Sequence, residues 1–233
     1  MKALFEKNET GVTIGLIVLY VVINSYCKSN FGTADYRSAI INTVFSLVLL
    51  TLIICLKRTS YYGLTKVKNA KGYLYFIPLV LIASVNLWNG LNIDNTQAEI
   101  VFHVIMMLNA GFIEEIIFRG FLFRMMEKDN VKRAMVVSAL TFGIGHIANL
   151  LSGADVVQTL IQICYAITIG FLFVTIFYKS KSLIPCIITH AVINALSIFN
   201  GENEVVFYLA SAFLVVVPLA YVFYINKTVK EKE

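Results

Sequence analysis

Eight apolar segments, each long enough to cross a bilayer, are the feature that most limits what this chain can fold into. They cover approximately residues 11–27, 38–56, 73–91, 100–125, 134–151, 156–178, 183–199 and 205–225. A helix needs about 20 apolar residues to cross the hydrocarbon core of a membrane, and backbone groups in lipid must bond within their own segment, which favours helices. With 58% hydrophobic and 14% charged residues among 233, the chain carries more apolar surface than a soluble core could bury. We therefore predict an all-α polytopic membrane protein, a single domain over residues 1–233 built from about eight transmembrane helices.

Lysine and arginine are unevenly distributed over the connections between these segments. Sixteen of the 19 lie at the chain ends or in the second, fourth and sixth connections, two lie in the first connection, and Arg119 lies within a segment. Cytoplasmic loops are enriched in these residues, so we expect both termini to be cytoplasmic. The net charge of +5 then sets the orientation of the chain in the membrane and favours contact with anionic lipid headgroups. We therefore expect a lipid bilayer, but no nucleic acid, as a partner. The short connections are typical of a multi-pass protein of the bacterial cell membrane.

Few strongly polar residues lie inside the apolar segments, and the ones that stand out fall in the fourth, fifth and seventh segments. They are Glu114, Glu115, Arg119, His146, His190 and Asn194. Ionisable groups in lipid are costly and usually mark a functional site. At about 1.5 Å per residue, Glu114, His146 and His190 lie roughly 14–20 Å from the cytoplasmic ends of their segments. The three side chains can therefore share one layer of the bilayer.

The two neighbouring glutamates cannot perform the same task, because adjacent helical residues point about 100° apart. Glu115 and Arg119 are four residues apart in the order that favours an ion pair. Glu114 has no such local partner and is the candidate catalytic carboxylate. The alternative is that both glutamates merely pair with arginine and anchor helices.

The two histidine segments each place a second side chain on the histidine's face. Phe142 lies one turn before His146, and Asn194 lies one turn after His190. His190 and Asn194 can both donate hydrogen bonds to a developing oxyanion. The alternative for each segment is helix packing through a polar bridge. His103 lies eleven residues before Glu114, about 16 Å away along the helix, and we interpret it as a packing or outer-cavity residue.

Three short motifs carry a family resemblance. The sequences EEIIFRG, FGIGH and HAVIN, in that order and in separate segments, resemble the EExxxR, FxxxH and HxxxN motifs of the CPBP intramembrane proteases. That family groups CAAX prenyl endopeptidases with bacteriocin-processing or immunity proteins, often labelled "Abi". The resemblance covers about residues 100–199, which we expect to form the catalytic core.

The resemblance implies a bundle of eight helices with a polar cavity inside the membrane. It also implies Glu114 as a catalytic carboxylate, His146 as its partner, and His190 and Asn194 as further site residues. Glu115, Arg119 and Phe142 match the remaining motif positions, and we expect them to support the site structurally.

Two mechanisms fit the same residues. In the first, Glu114 and His146 deprotonate a water that attacks a peptide carbonyl, while His190 and Asn194 stabilise the oxyanion. In the second, Glu114, His146 and His190 bind Zn²⁺ and Asn194 supports a ligand, as in a metalloendopeptidase. The sequence does not separate the two mechanisms: the first needs no cofactor, and the number of ligands allows zinc.

We therefore expect an intramembrane endopeptidase that hydrolyses a membrane-associated peptide or protein. Candidate substrates are a prenylated C-terminus and a bacteriocin or pheromone precursor. The alternative is a non-catalytic bacteriocin-immunity or peptide-binding membrane protein. A proton-coupled transporter would also place Glu and His in the membrane, but the chain lacks the internal repeat and paired broken helices typical of that class.

Overall fold

The fold is described from a computed structural model that covers residue 5 and residues 7–230. Its helices are α1 (Glu9–Asn30), α2 (Tyr36–Cys55), α3 (Ile77–Ala83), α4 (Gln97–Glu115), α5 (Arg124–Glu127), α6 (Val131–Gly145), α7 (Val156–Ser180), α8 (Ile184–Leu196) and α9 (Glu204–Thr228). Tighter 3₁₀ segments cover Ala70–Phe76, Val85–Leu87, His146–Ser152 and Ser197–Phe199, and a π-helix covers Ile116–Phe123. About 80% of the molecule is helical, and the described residues contain no β-strand.

Seven helical stretches are long and apolar enough to cross a membrane. They are Glu9–Asn30, Tyr36–Cys55, Ala70–Leu87, Gln97–Glu127, Val131–Ser152, Val156–Ser180 and Glu204–Thr228. The remaining predicted segment forms the shorter apolar stretch Ile184–Phe199. The predicted all-α helical bundle is confirmed, and the chain is an integral membrane protein.

The third predicted segment differs from expectation, because it is not one continuous helix. Leu74, Tyr75 and Phe76 have φ angles of 50°, 50° and 62°, a left-handed conformation that is uncommon outside glycine. α3 starts directly afterwards, with Pro78 in its first turn, where a missing N–H costs no hydrogen bond. The Tyr221 hydroxyl donates a hydrogen bond of 2.6 Å to the Tyr73 carbonyl and anchors the break. The predicted span over residues 73–91 is therefore present as the helical stretch Ala70–Leu87, with a break in its first turns.

The connections gather at two ends of the bundle. We call one the basic end: it holds residues 56–69, 128–130 and 181–183, and hydrogen bonds there join Leu183 N–H to the Gly63 carbonyl and the Thr65 hydroxyl to the Lys181 carbonyl. We call the other the acidic end: it holds residues 31–35, 88–96, 153–155 and 200–203. At the acidic end, Asn92 N–H donates to the Phe199 carbonyl. The odd-numbered connections are thus separated from the even-numbered ones.

Two glycines allow the helices around the polar residues to pack closely. A Cβ atom at Gly111 would lie 2.7 Å from the backbone nitrogen of Ala191, and one at Gly143 would lie 2.9 Å from that of Ile167. Real Cβ atoms do not approach backbone this closely, so α4 packs on α8, and α6 on α7, only because these positions lack a side chain. The first of these contacts brings the end of α4, with its two glutamates, next to His190, the residue before Ala191.

Candidate active site

A cavity of about 270 Å³ lies between α1, α4, α6, α7 and α8. It has room for about nine water molecules at about 30 Å³ each. Its polar lining comprises Tyr20, Asn24, Ser25, Lys28, Asn86, Glu114, His146, Asn149, Gln162, Tyr165, His190, Asn194 and Ser197. Glu114, His146, His190 and Asn194, which the sequence analysis singled out, therefore border one space.

Glu114 faces this cavity from α4. One of its carboxylate oxygens accepts a hydrogen bond from the Tyr20 hydroxyl of α1. The other, Oε2, lies 3.4 Å from Nε2 of His190 and has no hydrogen-bond partner among the described residues. The Glu114 side chain is 11% exposed, so the carboxylate is nearly enclosed by protein and has one oxygen that no donor satisfies.

Glu115, the next residue on the same turn, points about 100° away from Glu114 and is fully buried. Its Oε1 accepts hydrogen bonds from Nη1 of Arg119 at 3.0 Å and from Nδ1 of His190 at 2.9 Å. The structure thus contains the ion pair that the spacing of Glu115 and Arg119 predicted. The second contact, to His190, was not predicted, and it gives Glu115 a role in orienting a cavity residue.

His190 bridges the two glutamates. Since Glu115 accepts from Nδ1, that nitrogen carries a proton, and Nε2 is left facing Glu114. A neutral ring in this tautomer accepts a hydrogen bond at Nε2, whereas a ring with both protons donates one there. His190 can therefore exchange a proton with Glu114, or donate to an oxyanion when it is fully protonated.

His146 follows α6 directly and lies at the cavity wall. Its ring packs edge-on against Phe142, with centroids 5.2 Å apart, and Phe142 packs in the same way against His190 at 5.5 Å. The Arg119 guanidinium lies 4.2 Å from the Phe142 ring centroid, an arrangement that attracts the cation to the ring. Phe142 therefore separates the buried arginine from the cavity and holds both histidine rings in place.

Asn194 lines the cavity one turn after His190. Its backbone carbonyl accepts from Nε2 of His103 at 3.2 Å and from the Ser197 hydroxyl at 2.7 Å. His103 itself is buried outside the cavity, and its Nδ1 lies 3.1 Å from the Thr33 hydroxyl. His103 thus fixes the end of α8 under Asn194, in agreement with its interpretation as a packing residue.

α1 supplies residues that the sequence analysis missed. Tyr20, Asn24 and Lys28 line the cavity at intervals of four residues, which places them on one face of the helix. The Lys28 ammonium donates to Asn149 Oδ1 at 3.1 Å, and Asn149 Nδ2 donates to Gln162 Oε1 at 2.8 Å. The same spacing was visible in the sequence, but the first segment was interpreted only as a membrane span.

The backbone changes from α-helix to π-helix directly after Glu115. π-Helical turns are rare and are frequent at functional sites, since they redirect side chains within a continuing helix. Arg119 and Phe118 lie in this stretch, and the Phe118 carbonyl accepts a hydrogen bond of 2.9 Å from the Ser138 hydroxyl of α6. The altered turn is therefore held by the helix that also carries Phe142.

A zinc site would need at least three ligand side chains placed around one point. Within residues 7–230, no three His, Cys, Asp or Glu side chains are placed so that they could hold one metal ion. Oε2 of Glu114 and Nε2 of His190 lie 3.4 Å apart, but no third side chain of this kind joins them in the described part of the chain. The residues present do not fit the zinc site that the sequence left open.

The comparison with known families agrees with this geometry. Residues 96–196 match the family model described as Type II CAAX prenyl endopeptidase Rce1-like. The predicted family resemblance is confirmed. The Rce1-like region runs from the residue before α4 to the end of α8 and contains all three motifs. Proteins of the matched family are CAAX-type intramembrane proteases, so the match suggests a peptidase that acts on a membrane-associated peptide or protein. No curated protein and no solved structure matched the chain.

Proposed function

We propose that the protein is an intramembrane endopeptidase in which Glu114 activates a water molecule. The observation that carries this proposal is the meeting of Glu114, His146 and His190, all in the Rce1-like region, at one polar cavity. A carboxylate beside imidazoles in a site with room for water suits general acid–base catalysis. We assign the catalytic core to residues 100–199, within a single membrane domain of residues 1–233.

The proposed reaction needs only side chains that line the cavity. Water attacks the carbonyl carbon of the scissile bond and gives a proton to Glu114, assisted by His146. The Asn194 amide and doubly protonated His190 donate hydrogen bonds to the resulting oxyanion. Glu114 then passes its proton to the amide nitrogen, the C–N bond breaks, and a carboxylic acid and an amine are released.

Glu115 and Arg119 support this chemistry from outside the cavity. Glu115 holds Nδ1 of His190 and thereby aims Nε2 at Glu114. Arg119 compensates the buried negative charge of Glu115. Both side chains are fully buried, so they position His190 without touching a substrate.

The test of the proposal is peptidase activity of the purified protein in proteoliposomes, measured with a pool of quenched-fluorescent peptides. Glu114→Gln should lower kcat by about 10²–10⁴-fold, the usual contribution of a general base, while thermal unfolding in detergent stays unchanged. Glu99→Gln is the matched control: it makes the same change on the same helix, at the capping residue that bonds Thr96, and should keep full activity. Equal activity of the Glu114→Gln and wild-type proteins would refute the assignment.

His146→Ala provides the second arm of this test. It should abolish cleavage, whereas His103→Gln, a change at a histidine outside the cavity, should reduce activity only as far as it reduces stability. A protein that binds peptides equally well in all forms but never cleaves them would instead identify the non-catalytic peptide-binding alternative.

A further inference from the structure

We propose that Lys28 of α1 binds a carboxylate of the substrate, at a distance from the reacting bond. This inference rests on the proposed function and deepens it, because it assigns a binding residue to the same cavity. Lys28 lies outside the Rce1-like region, which begins at residue 96. The carboxylate subsite is therefore a property of α1 in this chain and not of the matched region.

The Lys28 side chain turns into the cavity. A lysine near the end of a membrane-spanning helix usually extends its ammonium towards the lipid headgroups. Lys28 instead lines the cavity and donates a hydrogen bond of 3.1 Å to Oδ1 of Asn149. Asn149 is itself oriented by Gln162, because its Nδ2 donates to Gln162 Oε1 at 2.8 Å. The two amide groups thus hold the ammonium at the cavity wall.

The Lys28 ammonium keeps donors for a ligand. An ammonium group has three N–H donors and no acceptor, and Asn149 takes one of them. Lys28 forms no ion pair with a carboxylate of the described residues, and no other lysine or arginine among them lines the cavity. Lys28 is therefore the fixed positive charge of the cavity in this part of the chain, and an anion is the ligand that suits it.

Asn24 supplies a second polar group without a partner beside Lys28. It lies one turn before Lys28 on the same face of α1 and lines the same cavity. Its Oδ1 is buried and has no hydrogen-bond partner among the described residues. A buried carbonyl oxygen without a donor costs free energy, and a peptide N–H would remove that cost. A chain bound along α1 can therefore give an N–H to Asn24 and a carboxylate to Lys28.

The spacing along α1 separates this carboxylate from the chemistry. The Tyr20 hydroxyl contacts Glu114, and Lys28 follows Tyr20 by eight residues, which is about 12 Å along a helix. An extended peptide covers this distance with about three to four residues. A substrate anion next to Glu114 would be repelled by its carboxylate, whereas an anion at Lys28 meets a cation.

Degenerate quenched-fluorescent peptides without Asp or Glu test the subsite in proteoliposomes. One pool ends in a free carboxylate and the other in a neutral amide. Wild type should cleave the carboxylate pool with a KM roughly 10–100-fold lower, the effect of one charge-assisted hydrogen bond. Lys28→Gln can still donate to Asn149 but has no charge, so it should raise this KM to that of the amide pool and leave kcat unchanged. Lys132→Gln, the same change at an exposed lysine of α6 outside the cavity, should behave as wild type.

Charge reversal gives a gain of function that a folding defect cannot imitate. Lys28→Glu should have a lower KM for a third pool, which ends in a positively charged aminoethyl amide, than for the carboxylate pool. A further pair of amidated pools, with a single Glu or Gln scanned along the peptide, identifies a side chain as the source of the carboxylate. A preference for Glu that Lys28→Gln removes would support the subsite with that source. Equal KM values for all pools, in wild type and in Lys28→Gln, would overturn the proposal.

Binding measurements separate this inference from the proposed function. In the Glu114→Gln protein, fluorescence anisotropy of the labelled carboxylate pool should show binding that a second change, Lys28→Gln, weakens roughly 10–100-fold. Cleavage that depends on Glu114 but shows the same KM for every pool would refute the subsite and leave proteolysis intact. Binding that depends on Lys28, without any cleavage that depends on Glu114, would support the subsite and count against proteolysis.

Discussion

The neighbouring residues Glu114 and Glu115 lie in two different environments, one polar and open to water and the other buried. Glu114 borders the cavity among hydroxyl, imidazole and amide groups, whereas Glu115 lies in a dry cluster with Arg119, Phe142 and Phe173. A single step along α4 thus separates a carboxylate that can meet water from one that cannot. His190 contacts both glutamates. The buried cluster around Glu115 therefore fixes the orientation of the His190 ring at the cavity. The comparison teaches that the paired glutamates divide chemistry and structure between them.

The largest loss of stability should come from a substitution in the buried cluster around Glu115. Glu115→Gln leaves the Arg119 charge without compensation in a buried position, which costs about 3–5 kcal/mol when one partner of a buried pair is removed. Glu114→Gln should cost less, because Glu114 contacts the Tyr20 hydroxyl and, at 3.4 Å, Nε2 of His190 rather than a fully buried guanidinium. Thermal unfolding in detergent measures both changes. Equal destabilisation by the two substitutions would remove the distinction between the regions.

A double-mutant cycle at Glu115 and Arg119 sharpens the same comparison. The double variant Glu115→Gln/Arg119→Gln should be more stable than the sum of the single changes predicts, by about 2 kcal/mol, a normal coupling energy for directly bonded residues. The matched cycle at Asp35 and Arg37, whose ion pair is 2.8 Å long and has a 48% exposed arginine, should give less than about 1 kcal/mol. Additive effects at Glu115 and Arg119 would show that the pair is not coupled.

The contact between α6 and α7 should be weakened by a substitution at Gly143 but not by one at Gly145. Gly143→Ala pushes a methyl group into the backbone of α7 and should cost about 1–3 kcal/mol, the usual penalty for overpacking. A Cβ atom at Gly145 would meet no packing neighbour within 4 Å, so Gly145→Ala should leave the unfolding temperature unchanged. Equal unfolding temperatures for both variants would contradict the close contact of α6 and α7.

Tyr20→Phe, a substitution at the cavity, should produce a smaller effect than the changes above. It removes the hydroxyl that donates to the Glu114 carboxylate, a hydrogen bond to a charged group worth about 1.5–3 kcal/mol, and should lower kcat by roughly 10–100-fold at most. Tyr26→Phe, at an exposed position on the same helix, is the control and should behave as wild type. A loss as large as that of Glu114→Gln would mean that Tyr20 takes part in the chemistry.

The smallest expected effect is that of a chelator. Since the described residues offer no set of three ligands for one ion, treatment with 1,10-phenanthroline followed by gel filtration should leave peptidase activity unchanged. Metal content measured on the same sample should be well below one equivalent of zinc. Activity that disappears with the chelator and returns with zinc would revive the metalloendopeptidase alternative.

The sequence predicted most of what depends on composition and local spacing. Long apolar runs identify the spans, and the four-residue spacing of Glu115 and Arg119 identifies their ion pair, because both follow from the helix alone. The break at Leu74–Phe76 could not be predicted in this way, since a left-handed turn of bulky residues is stabilised by distant contacts such as that from Tyr221.

Only the part of the candidate site that depends on local sequence could be predicted. The motif residues Glu114, His146, His190 and Asn194 stand out because strongly polar groups are rare in lipid. Tyr20 was missed because a tyrosine in an apolar helix is ordinary, and only the packing of α1 against α4 gives its hydroxyl a carboxylate partner. The bond between Glu115 and His190 depends likewise on the approach of α4 to α8 at Gly111.

Two packed ring pairs, Tyr62 with Phe121 at 4.6 Å and Phe123 with Phe177 at 6.0 Å between centroids, have a consequence for the cell as well as for the reaction. Any protein that keeps water deep inside a bilayer risks conducting protons and ions down their gradients, at about 2.3 kcal/mol per charge for each 100 mV. All four residues are at most 1% exposed, and packing this close leaves little room for water between the rings. We therefore expect Phe121→Ala, which opens a void there, to raise the proton leak of the membrane.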